Sequence, residues 1–459
     1  MRNVLGLISL LLIIGACTPT SNRSEARTQP NIIIIFADDL GYGDSGVFGH
    51  PTIQTPHLDQ MARKGMKLTQ FYAAASVCTP SRAGLMTGRL PIRSGMCSSK
   101  RRVLFPDSDG GIPVSEQTIA EGLKSVGYAT ACVGKWHLGH QHPHLPTDNG
   151  FDEYFGIPYS NDMSPKEAVW EGAISFPSIP LMEGDSIIET GPDQTQLTKR
   201  YTEKALDFID RNQAQPFFLY FPHTFPHIPL YASEDFIGKS QRGLYGDVVE
   251  EMDWSVGQIL NKLEELELSE NTLVVFTSDN GPWLVMKEEG GSAGLLRQGK
   301  GSSWEGGQRE PFIAQWPGMI PAASVNSAIT STMDLLPTCF ALGGAALPND
   351  RTIDGLDLMP ILKGEESNLH DSFPYFLGAE LYAFREGPWK IHFKTFTPYK
   401  GEKSVVHDPP LLYHLEHDPS ETHDLADEKP EIINSLMLKA EAFLTTIDSV
   451  PSQLEKRLP

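Results

Sequence analysis

The sequence predicts an α/β protein with a main domain built on a largely buried sheet and a smaller C-terminal part. Three observations support this prediction. Apolar runs alternate with amphipathic helical patterns through most of the chain. Polar residues begin directly after each apolar run. Beyond about Gly364 the pattern changes to short alternating segments, which favours a small antiparallel sheet.

The composition indicates a folded protein that does not bind nucleic acid. The chain has 459 residues and is 40% hydrophobic, which is enough for one large domain and a smaller one. Lys and Arg total 37 against 58 Asp and Glu, a formal charge of −21. This charge argues against nucleic acid or anionic lipid as the main partner. A few cations in one pocket can still bind an anionic small substrate.

The N-terminus has the pattern of an export signal. The apolar stretch of residues 4–14 is too short for a comfortable membrane span. Its end, Ile14-Gly15-Ala16-Cys17, resembles the bacterial lipobox, and the alternative is an ordinary signal peptide with a chance cysteine. We expect a signal peptide at residues 1–16 and a polar tether at 17–30 that carries lipid on Cys17. The lipid anchor predicts a location at the cell envelope, in the periplasm or on the outer membrane.

The first half of the main domain contains two predicted strands and two predicted helices. Asn31–Ala37 is nearly all β-branched, as in a strand covered on both faces. A helix is expected from Thr55 until Gly65, with Pro56 in its first turn. A second helix is expected after Ser115 as its cap, and it ends at Gly127 before the strand Ala129–Val133.

The same alternation continues through two more units and then changes character. Helices are predicted at residues 197–212 and 247–268, and each leads into a strand, at 216–221 and 272–277. The C-terminal part is predicted to hold strands at 381–384, 389–393 and 411–415 and a final helix at 430–446.

Four polar segments follow directly after predicted strands. Because ligands of open α/β sheets bind beyond the carboxyl ends of the strands, chemistry is expected there. The segments are Asp38-Asp39, Lys135-Trp136-His137, His223 with His227, and Asp279-Asn280. The two acidic segments together offer four oxygen donors of the kind that calcium prefers. Either acidic pair alone is weak evidence, because an Asp-Asp after a strand is more often a turn and a helix cap.

Cys78 lies at the start of a predicted helix in the run Cys-Thr-Pro-Ser-Arg. Pro80 fits the first helical turn, so a group on residue 78 would face free N–H groups and the positive end of a helix dipole. No Cys-His-Asn arrangement is evident that would activate the unmodified thiol, and a structural role is the alternative. If Cys17 and Cys78 are modified, Cys97, Cys132 and Cys339 allow at most one disulfide.

The run from Cys78 to Arg82 resembles the signature of the type I sulfatases. Further similar runs are ADDLGYGDSGVFGHP, VGKWHLGH, GFDEYFGIPYSND, TSDNGPW and GKGSSWEGGQREPFIAQWPG. Within this family the sequence is most similar to arylsulfatase A and N-acetylgalactosamine-6-sulfatase. The resemblance implies an alkaline-phosphatase-like large mixed sheet between helices at residues 31–364. It also implies a smaller C-terminal antiparallel sheet with a helix at 365–459.

The resemblance also implies cofactors and residue roles. A formylglycine-generating enzyme would oxidise Cys78, and one calcium ion would lie between residue 78 and Asp38, Asp39, Asp279 and Asn280. Arg82 would stabilise the hydrated aldehyde. The residues around the sulfate or its leaving oxygen would be Lys135, His137, Ser160, His227 and Lys300.

The implied reaction is hydrolysis of a sulfate ester, on a sulfated sugar. One hydroxyl of the aldehyde hydrate would lose its proton to Asp279 and attack sulfur. His227 or Lys300 would protonate the departing oxygen, and His137 would take the proton whose loss expels sulfate. One alternative is a phosphomonoester or phosphonate hydrolase, which commonly needs two metals. Another is an inactive lipoprotein that binds sulfated glycans.

Several other polar residues have two possible roles. His140, His142 and His144 have the spacing of a metal cluster, but without a nearby carboxylate they favour a loop at the pocket mouth. His223 is expected at most to line the pocket. Trp304 and Glu305 fit either a substrate contact or internal packing.

Overall fold

The apolar runs of the sequence form the centre of a large mixed sheet in the computed structural model. The structure describes residues 29–165, 176–398, 403–448 and 450–459. The predicted signal peptide, Cys17 and nearly all of the tether therefore lie outside the described residues. Within the described ranges, no helix combines the length and the apolar character that crossing a membrane requires.

Eleven of the described strands form one sheet. They are β1 (Asn31–Ala37), β2 (Met66–Tyr72), β3 (Ala129–Val133), β4 (Glu153–Gly156), β5 (Pro180–Glu183), β6 (Ser186–Thr190), β7 (Phe217–Pro222), β8 (Thr272–Ser278), β9 (Arg309–Gln315), β10 (Ser324–Asn326) and β11 (Thr330–Ser331). Their order is β10-β2-β9-β8-β1-β7-β3-β4-β5-β6, with β11 beside β2. The central strands β8, β1, β7 and β3 run parallel, so their carboxyl ends share one edge.

Helices cover both faces of this sheet. The helices are α1 (Pro56–Lys64), α2 (Cys78–Thr87), α3 (Pro91–Ser94), α4 (Ile119–Ser125), α5 (Leu197–Asn212), α6 (Leu244–Glu265), α7 (Glu305–Gln308), α8 (Leu335–Gly343), α9 (Met359–Leu362) and α10 (Pro430–Leu444). Short 3-10 helices lie at Gly46–Phe48, Pro146–Asn149, Gln194–Gln196, Ser269–Asn271, Leu284–Glu289 and Thr332–Asp334.

The alternation of side chains along β1 divides the core into two layers. Ile32, Ile34 and Phe36 pack in a cluster with residues of α2, α4 and α8. Ile33 and Ile35 point the other way, into a cluster with residues of α1, α5 and α6. A strand buried on both faces explains the unbroken apolar run that the sequence shows.

The C-terminal part is a four-stranded antiparallel sheet with a helix, as predicted. Its strands, in spatial order, are β12 (Ser372–Leu377), β13 (Glu380–Glu386), β14 (Trp389–Thr395) and β15 (Val405–His414). Ile433 and Leu436 of α10 pack on one apolar cluster with Tyr375 and Ile391 of this sheet. Tyr72 of β2 belongs to the same cluster and joins the two sheets.

The structure corrects the predicted start of α4. Ser115 does not cap this helix, because the helix begins at Ile119 and its cap is Thr118. The Thr118 side chain accepts a hydrogen bond from the Glu121 N–H, and the Glu121 carboxylate accepts one from the Thr118 N–H. This reciprocal pair satisfies two N–H groups of the first turn, which a serine three residues earlier cannot reach.

Candidate active site

Four strand ends bring the predicted polar residues to one edge of the sheet. Asp38 and Asp39 follow β1, and Asp279 with Asn280 follows β8 beside it. Backbone hydrogen bonds hold these ends together, since the Asp279 N–H donates to the Ala37 carbonyl at 3.1 Å. The segments after β3 and β7 carry the predicted lysine and histidines. Cys78, the first residue of α2, places its Sγ 3.6 Å from Asp38 Oδ1.

The acidic residues form a group with the geometry of a metal site. One ligand atom each from Asp38, Asp39, Cys78 and Asp279 lie within 4.8 Å of one another. Asn280 donates from Nδ2 to Asp39 Oδ1 at 2.7 Å, while its Oδ1 is buried with no hydrogen-bond partner among the described residues. Three carboxylates and a buried amide oxygen are donors that suit calcium or magnesium. These residues therefore fit a hard divalent cation.

Three buried cations balance the three carboxylates. Arg82 binds Asp279 Oδ2 through Nε at 3.1 Å and Nη2 at 2.9 Å. Lys135 forms an ion pair with Asp38, and Lys300 Nζ lies 2.7 Å from Asp39 Oδ2. Because the fixed charges cancel, a divalent cation would leave the site with a net charge of about +2 for an anionic substrate.

The pKa values of the carboxyls reflect this environment. Burial alone would raise the pKa of Asp38, but Lys135 and weaker charges hold it well below its usual value. Burial, reinforced by the charge of Asp38, raises the pKa of Asp279 to about 7. Burial also raises the pKa of Asp39, and Lys300 opposes this increase. A bound divalent cation would lower all three pKa values, because it favours the charged carboxylates.

Cys78 is poorly suited to act as a thiolate nucleophile. It is 2% exposed, and burial raises the pKa of its thiol well above the ordinary value. Its hydrogen-bonding neighbour is the Asp38 carboxylate, which disfavours a second negative charge. The unmodified thiol is therefore a poor nucleophile although it lines the pocket. These surroundings fit a residue that becomes reactive only after modification.

The hydrogen bonds of the two site histidines define their tautomers. His137 Nε2 lies 2.9 Å from the Leu104 carbonyl, so Nε2 carries the proton and Nδ1 is left as a buried acceptor without a described partner. His227 Nδ1 donates to the Ile228 carbonyl at 2.5 Å, which leaves Nε2 unprotonated. Burial, with positive neighbours, lowers the pKa of both rings well below the usual value. Both histidines are therefore neutral.

Ser160 links the lysine and histidine that come from different strand ends. Lys135 Nζ donates to Ser160 Oγ at 3.3 Å, and Ser160 Oγ lies 3.4 Å from His227 Nε2. The hydroxyl therefore accepts from the lysine and donates to the neutral imidazole. His227 Nε2 also lies 3.6 Å from Asp39 Oδ2. These hydrogen bonds hold Lys135, Ser160 and His227 in one row beside the acidic group.

Ser160 and His227 line a cavity of about 450 Å³, which we call the catalytic pocket. Sequence reasoning predicted Cys78, His137, Ser160, His227 and Lys300 among its lining residues. The pocket also has walls that the sequence did not predict. They are Val77, Lys100, Arg101, Arg102, Val103, Phe105, Asp162, Met163 and Trp283. Trp283 follows Asn280 by three residues, and this spacing could have indicated that it lies near the site. Lys300 Nζ lies 4.5 Å from the centre of the Trp283 ring.

The remaining histidines do not form a second site in the described residues. His223 is buried beyond the pocket against Phe221, and burial lowers its pKa to about 3. The expectation that the 140–144 run lacks a carboxylate is wrong, because His142 Nδ1 lies 2.9 Å from Asp148. His140 packs on Tyr159 and His144 Nδ1 contacts the Ile112 carbonyl, so the three rings do not converge.

Trp304 and Glu305 pack between the two sheets and do not line the catalytic pocket. Glu305 accepts hydrogen bonds from Tyr72, Tyr375 and Lys390, all of them buried. Cys97, Cys132 and Cys339 are buried thiols, and the described residues contain no disulfide.

Comparison with known proteins identifies relatives over nearly the whole chain. The Sulfatase family model matches residues 30–345, and the model of the C-terminal region of aryl-sulfatase matches residues 368–458. N-acetylgalactosamine-6-sulfatase of Canis lupus familiaris is 42% identical over 93% of this chain and 87% of that protein. Arylsulfatase A of Homo sapiens is 42% identical over 94% of this chain and 91% of that protein.

Solved structures show the same architecture. A sulfatase from Pseudoalteromonas sp. has a TM-score of 0.83 and 28% identity, over 92% of this chain and 91% of that chain. A phosphonate monoester hydrolase of Agrobacterium radiobacter has a TM-score of 0.61 at 18% identity, over 91% of this chain and 95% of that chain. The second likeness concerns the fold alone. The predicted alkaline-phosphatase-like fold is therefore confirmed.

Proposed function

Because the chain belongs to the sulfatase family and is a hydrolase of sulfate esters, we propose that it cleaves sulfated carbohydrates with a formylglycine made from Cys78. We further propose that one calcium ion lies between residue 78 and Asp38, Asp39, Asp279 and Asn280. The observation that supports both parts is the grouping of Cys78 with the carboxylates inside 4.8 Å. The buried thiol is poorly suited to act as a nucleophile unless it is modified, because burial raises its pKa.

The chain's own residues supply binding and proton transfer. A formylglycine supplies a hydrated aldehyde as nucleophile, and calcium supplies positive charge for a sulfate oxygen. Lys135, buried behind Ser160 and Asp38, adds a further positive charge. Arg82 holds Asp279 in place through two N–H groups. His137 Nδ1, an acceptor without a described partner, suits the proton released when sulfate is expelled.

The geometry favours Lys300 over His227 as the donor to the departing oxygen. His227 is neutral, and its one proton is committed to the Ile228 carbonyl. Lys300 carries ammonium protons into the catalytic pocket and is held by Asp39 at 2.7 Å. His227 Nε2 instead accepts from Ser160 and keeps that hydroxyl oriented. The sequence left His227 and Lys300 as alternative donors, and this proposal retains Lys300.

A sulfated sugar fits the pocket better than a sulfate ester of a small alcohol. The pocket of about 450 Å³ exceeds the needs of the sulfate group, and Trp283 and Phe105 offer aromatic faces for a ring. The relative N-acetylgalactosamine-6-sulfatase carries a sulfated sugar in its name. We therefore assign a sulfated saccharide as the substrate class.

The test is sulfate release by protein coexpressed with a formylglycine-generating enzyme. Wild type is expected to hydrolyse an aryl sulfate and a sulfated saccharide, and Cys78→Ala to lose activity on both. The peptide around residue 78 should show the mass change of a thiol replaced by an aldehyde oxygen. A chelator should lower the activity and calcium should restore it. Cys339→Ala, which changes a buried thiol of α8 far from the site, should match wild type.

Three results would contradict the proposal. Undiminished activity of Cys78→Ala would exclude residue 78 as the nucleophile. Faster hydrolysis of a phosphate ester than of the matching sulfate ester would favour the phosphomonoester or phosphonate hydrolase alternative. Binding of a sulfated glycan without any sulfate release by the converted protein would favour the inactive lipoprotein.

A further inference from the structure

Lys300 lies in a short loop, residues 297–306, which we call the lysine loop. The Gly306 N–H donates to the Arg297 carbonyl at 2.9 Å and closes the loop at its base. At the tip, the Lys300 N–H donates to the Pro282 carbonyl at 3.0 Å, and the Lys300 side chain lines the catalytic pocket. The loop is therefore a closed unit whose tip reaches the pocket.

One residue of the C-terminal part, Glu421, binds both ends of the lysine loop. It lies in the turn between β15 and α10. Its carbonyl accepts a hydrogen bond from Arg297 Nη1 at the first residue of the loop. Its Oε2 accepts a hydrogen bond from the Glu305 N–H at 2.7 Å, near the other end. The two ends of the loop are therefore held by the same residue.

The carboxylate of Glu421 is itself fixed by two buried groups of β14. Its Oε1 lies 3.0 Å from Lys390 Nζ and 2.7 Å from His392 Nε2, and none of the three side chains is exposed to solvent. Hydrogen bonds to an ionised group are stronger than neutral ones, and no water competes with them here. A glutamine would turn its NH₂ group toward these two donors or toward the Glu305 N–H, so it would lose part of this arrangement.

The backbone of Glu421 is held in an uncommon conformation. Its φ is +50°, in the left-handed region that residues other than glycine seldom adopt. The Glu421 N–H donates to the Asp418 carbonyl at 3.1 Å. Asp418 Oδ2 accepts from the N–H groups of Thr422 and His423, both at 2.8 Å. Such a conformation has an energetic cost and persists where contacts on several sides determine it. The turn therefore presents Glu421 to the lysine loop in one defined orientation.

Side chains at the two ends of the lysine loop also stack on each other. The Arg297 guanidinium lies 3.7 Å from the centre of the Trp304 ring, and the centre of that ring lies 4.2 Å from the centre of the His392 ring. Trp304 is buried, which strengthens the attraction between a cation and the face of the ring. Arg297 is therefore fixed by the ring of Trp304 as well as by the carbonyl of Glu421.

We propose that Glu421 is a positioning residue for Lys300, which it keeps at the departing oxygen by holding both ends of the lysine loop. This inference rests on the proposed function, in which Lys300 protonates that oxygen. A misplacement of about 1 Å in such a group can lower the rate on the order of 100-fold. The C-terminal part therefore takes part in the reaction, although none of its described residues lines the catalytic pocket.

The experiment measures how kcat/KM depends on the leaving group, with aryl sulfates whose phenols differ in pKa. In wild type this dependence should be shallow, because Lys300 protonates the departing oxygen. Glu421→Gln should lower kcat/KM about 10- to 100-fold for the sulfate of the least acidic phenol and less than about threefold for that of the most acidic phenol. A merely structural role would lower all values by the same factor, through a smaller folded fraction.

A second variant tests the same contacts without disturbing the buried charges. Arg297→Met removes the contact with the Glu421 carbonyl and leaves Glu305 and Glu421 paired with Lys390. It should steepen the leaving-group dependence in the same direction, and it decides the matter if Glu421→Gln does not fold. Glu416→Gln, the same substitution at an exposed position before the turn, is the matched control and should equal wild type.

Hydrogen exchange of the peptide that covers residues 297–306 gives a readout without turnover. Both variants should exchange faster there than wild type, because the ends of the lysine loop are released. Unchanged exchange in both variants would overturn the inference. An equal loss of kcat/KM for all aryl sulfates in Glu421→Gln would do the same, as would a wild-type leaving-group dependence in Arg297→Met. Absence of sulfate release by converted wild type would instead overturn the proposed function, and the exchange of the loop would still show whether Glu421 holds it.

Discussion

At the scale of single residues, Lys135 contacts both the acidic group and a residue that lines the pocket. It neutralises Asp38, and it donates to Ser160 in the row that ends at His227. Its side chain is fully buried, so its charge acts with little screening by water. The buried amine of Lys135 therefore contributes a positive charge behind the residues that line the pocket.

We expect Lys135→Met, which keeps most of the side-chain volume, to lower kcat about 100- to 1,000-fold. Inorganic sulfate should also inhibit the variant more weakly than wild type, because one of the charges that hold the anion is gone. Steady-state kinetics with an aryl sulfate measures both effects. Lys287→Met removes an exposed cation and is the matched control. A loss below tenfold in Lys135→Met would exclude a direct role for the amine.

The sequence predicted the residues at strand ends but not the pocket walls. Asp38 and Asp279 were predictable because each follows a buried apolar strand directly, and parallel strands end at one edge. Phe105, Met163 and Trp283 reach the pocket from loops whose paths depend on contacts distant in sequence. Nothing in the local pattern of such loops determines which way a side chain points.

At the scale of elements, a buried charge cluster connects α7 to the C-terminal sheet. Lys390 of β14 lies 2.9 Å from Glu305 and 3.0 Å from Glu421, and all three side chains are fully buried. Glu421 also binds His392 at 2.7 Å and accepts from the Glu305 N–H. The cluster fixes the start of α7, five residues after Lys300.

Lys390→Met should destabilise the protein by about 3–5 kcal/mol, because it leaves two buried carboxylates without their shared cation. Chemical unfolding of both proteins measures the difference. Lys439→Met removes an exposed partner of Glu386 and should cost no more than about 1 kcal/mol. Comparable losses in the two variants would show that the buried cluster contributes no more than a surface ion pair.

The prediction of elements succeeded where the pattern was strong. Leu197–Asn212 has the predicted bounds because its apolar residues recur at helical spacing over sixteen residues. The short strands β4, β5, β10 and β11 were not predicted, since two to four residues carry no periodicity. The longer strands β2, β6, β9 and β12 were also not predicted. At α4 the structure preferred Thr118 over Ser115 because only the threonine has a glutamate three residues later.

At the scale of the whole molecule, we propose that the enzyme is held at the cell envelope by lipid on Cys17. The support is the sequence of residues 1–30, of which the structure describes only the last two. Cys17→Ser should move the protein from the membrane fraction to the soluble fraction without changing its rate on an aryl sulfate. Immunoblotting of the two fractions measures the shift. Retention of Cys17→Ser in the membrane fraction would contradict the lipid anchor.

The direction of β1 has a consequence for how such an enzyme meets a large substrate. The chain enters β1 beside Gln29, whose amide binds the Gly343 carbonyl, and leaves it seven residues later at Asp38. The entry point is thus about 20 Å from the catalytic pocket, at the opposite edge of the sheet. Any support attached through the N-terminal segment, whether a bilayer or a resin, is therefore joined to the protein at the edge of the sheet away from the pocket. The point of attachment and the pocket thus lie at opposite edges, and the attachment itself does not obstruct the access of a long polymer to the pocket.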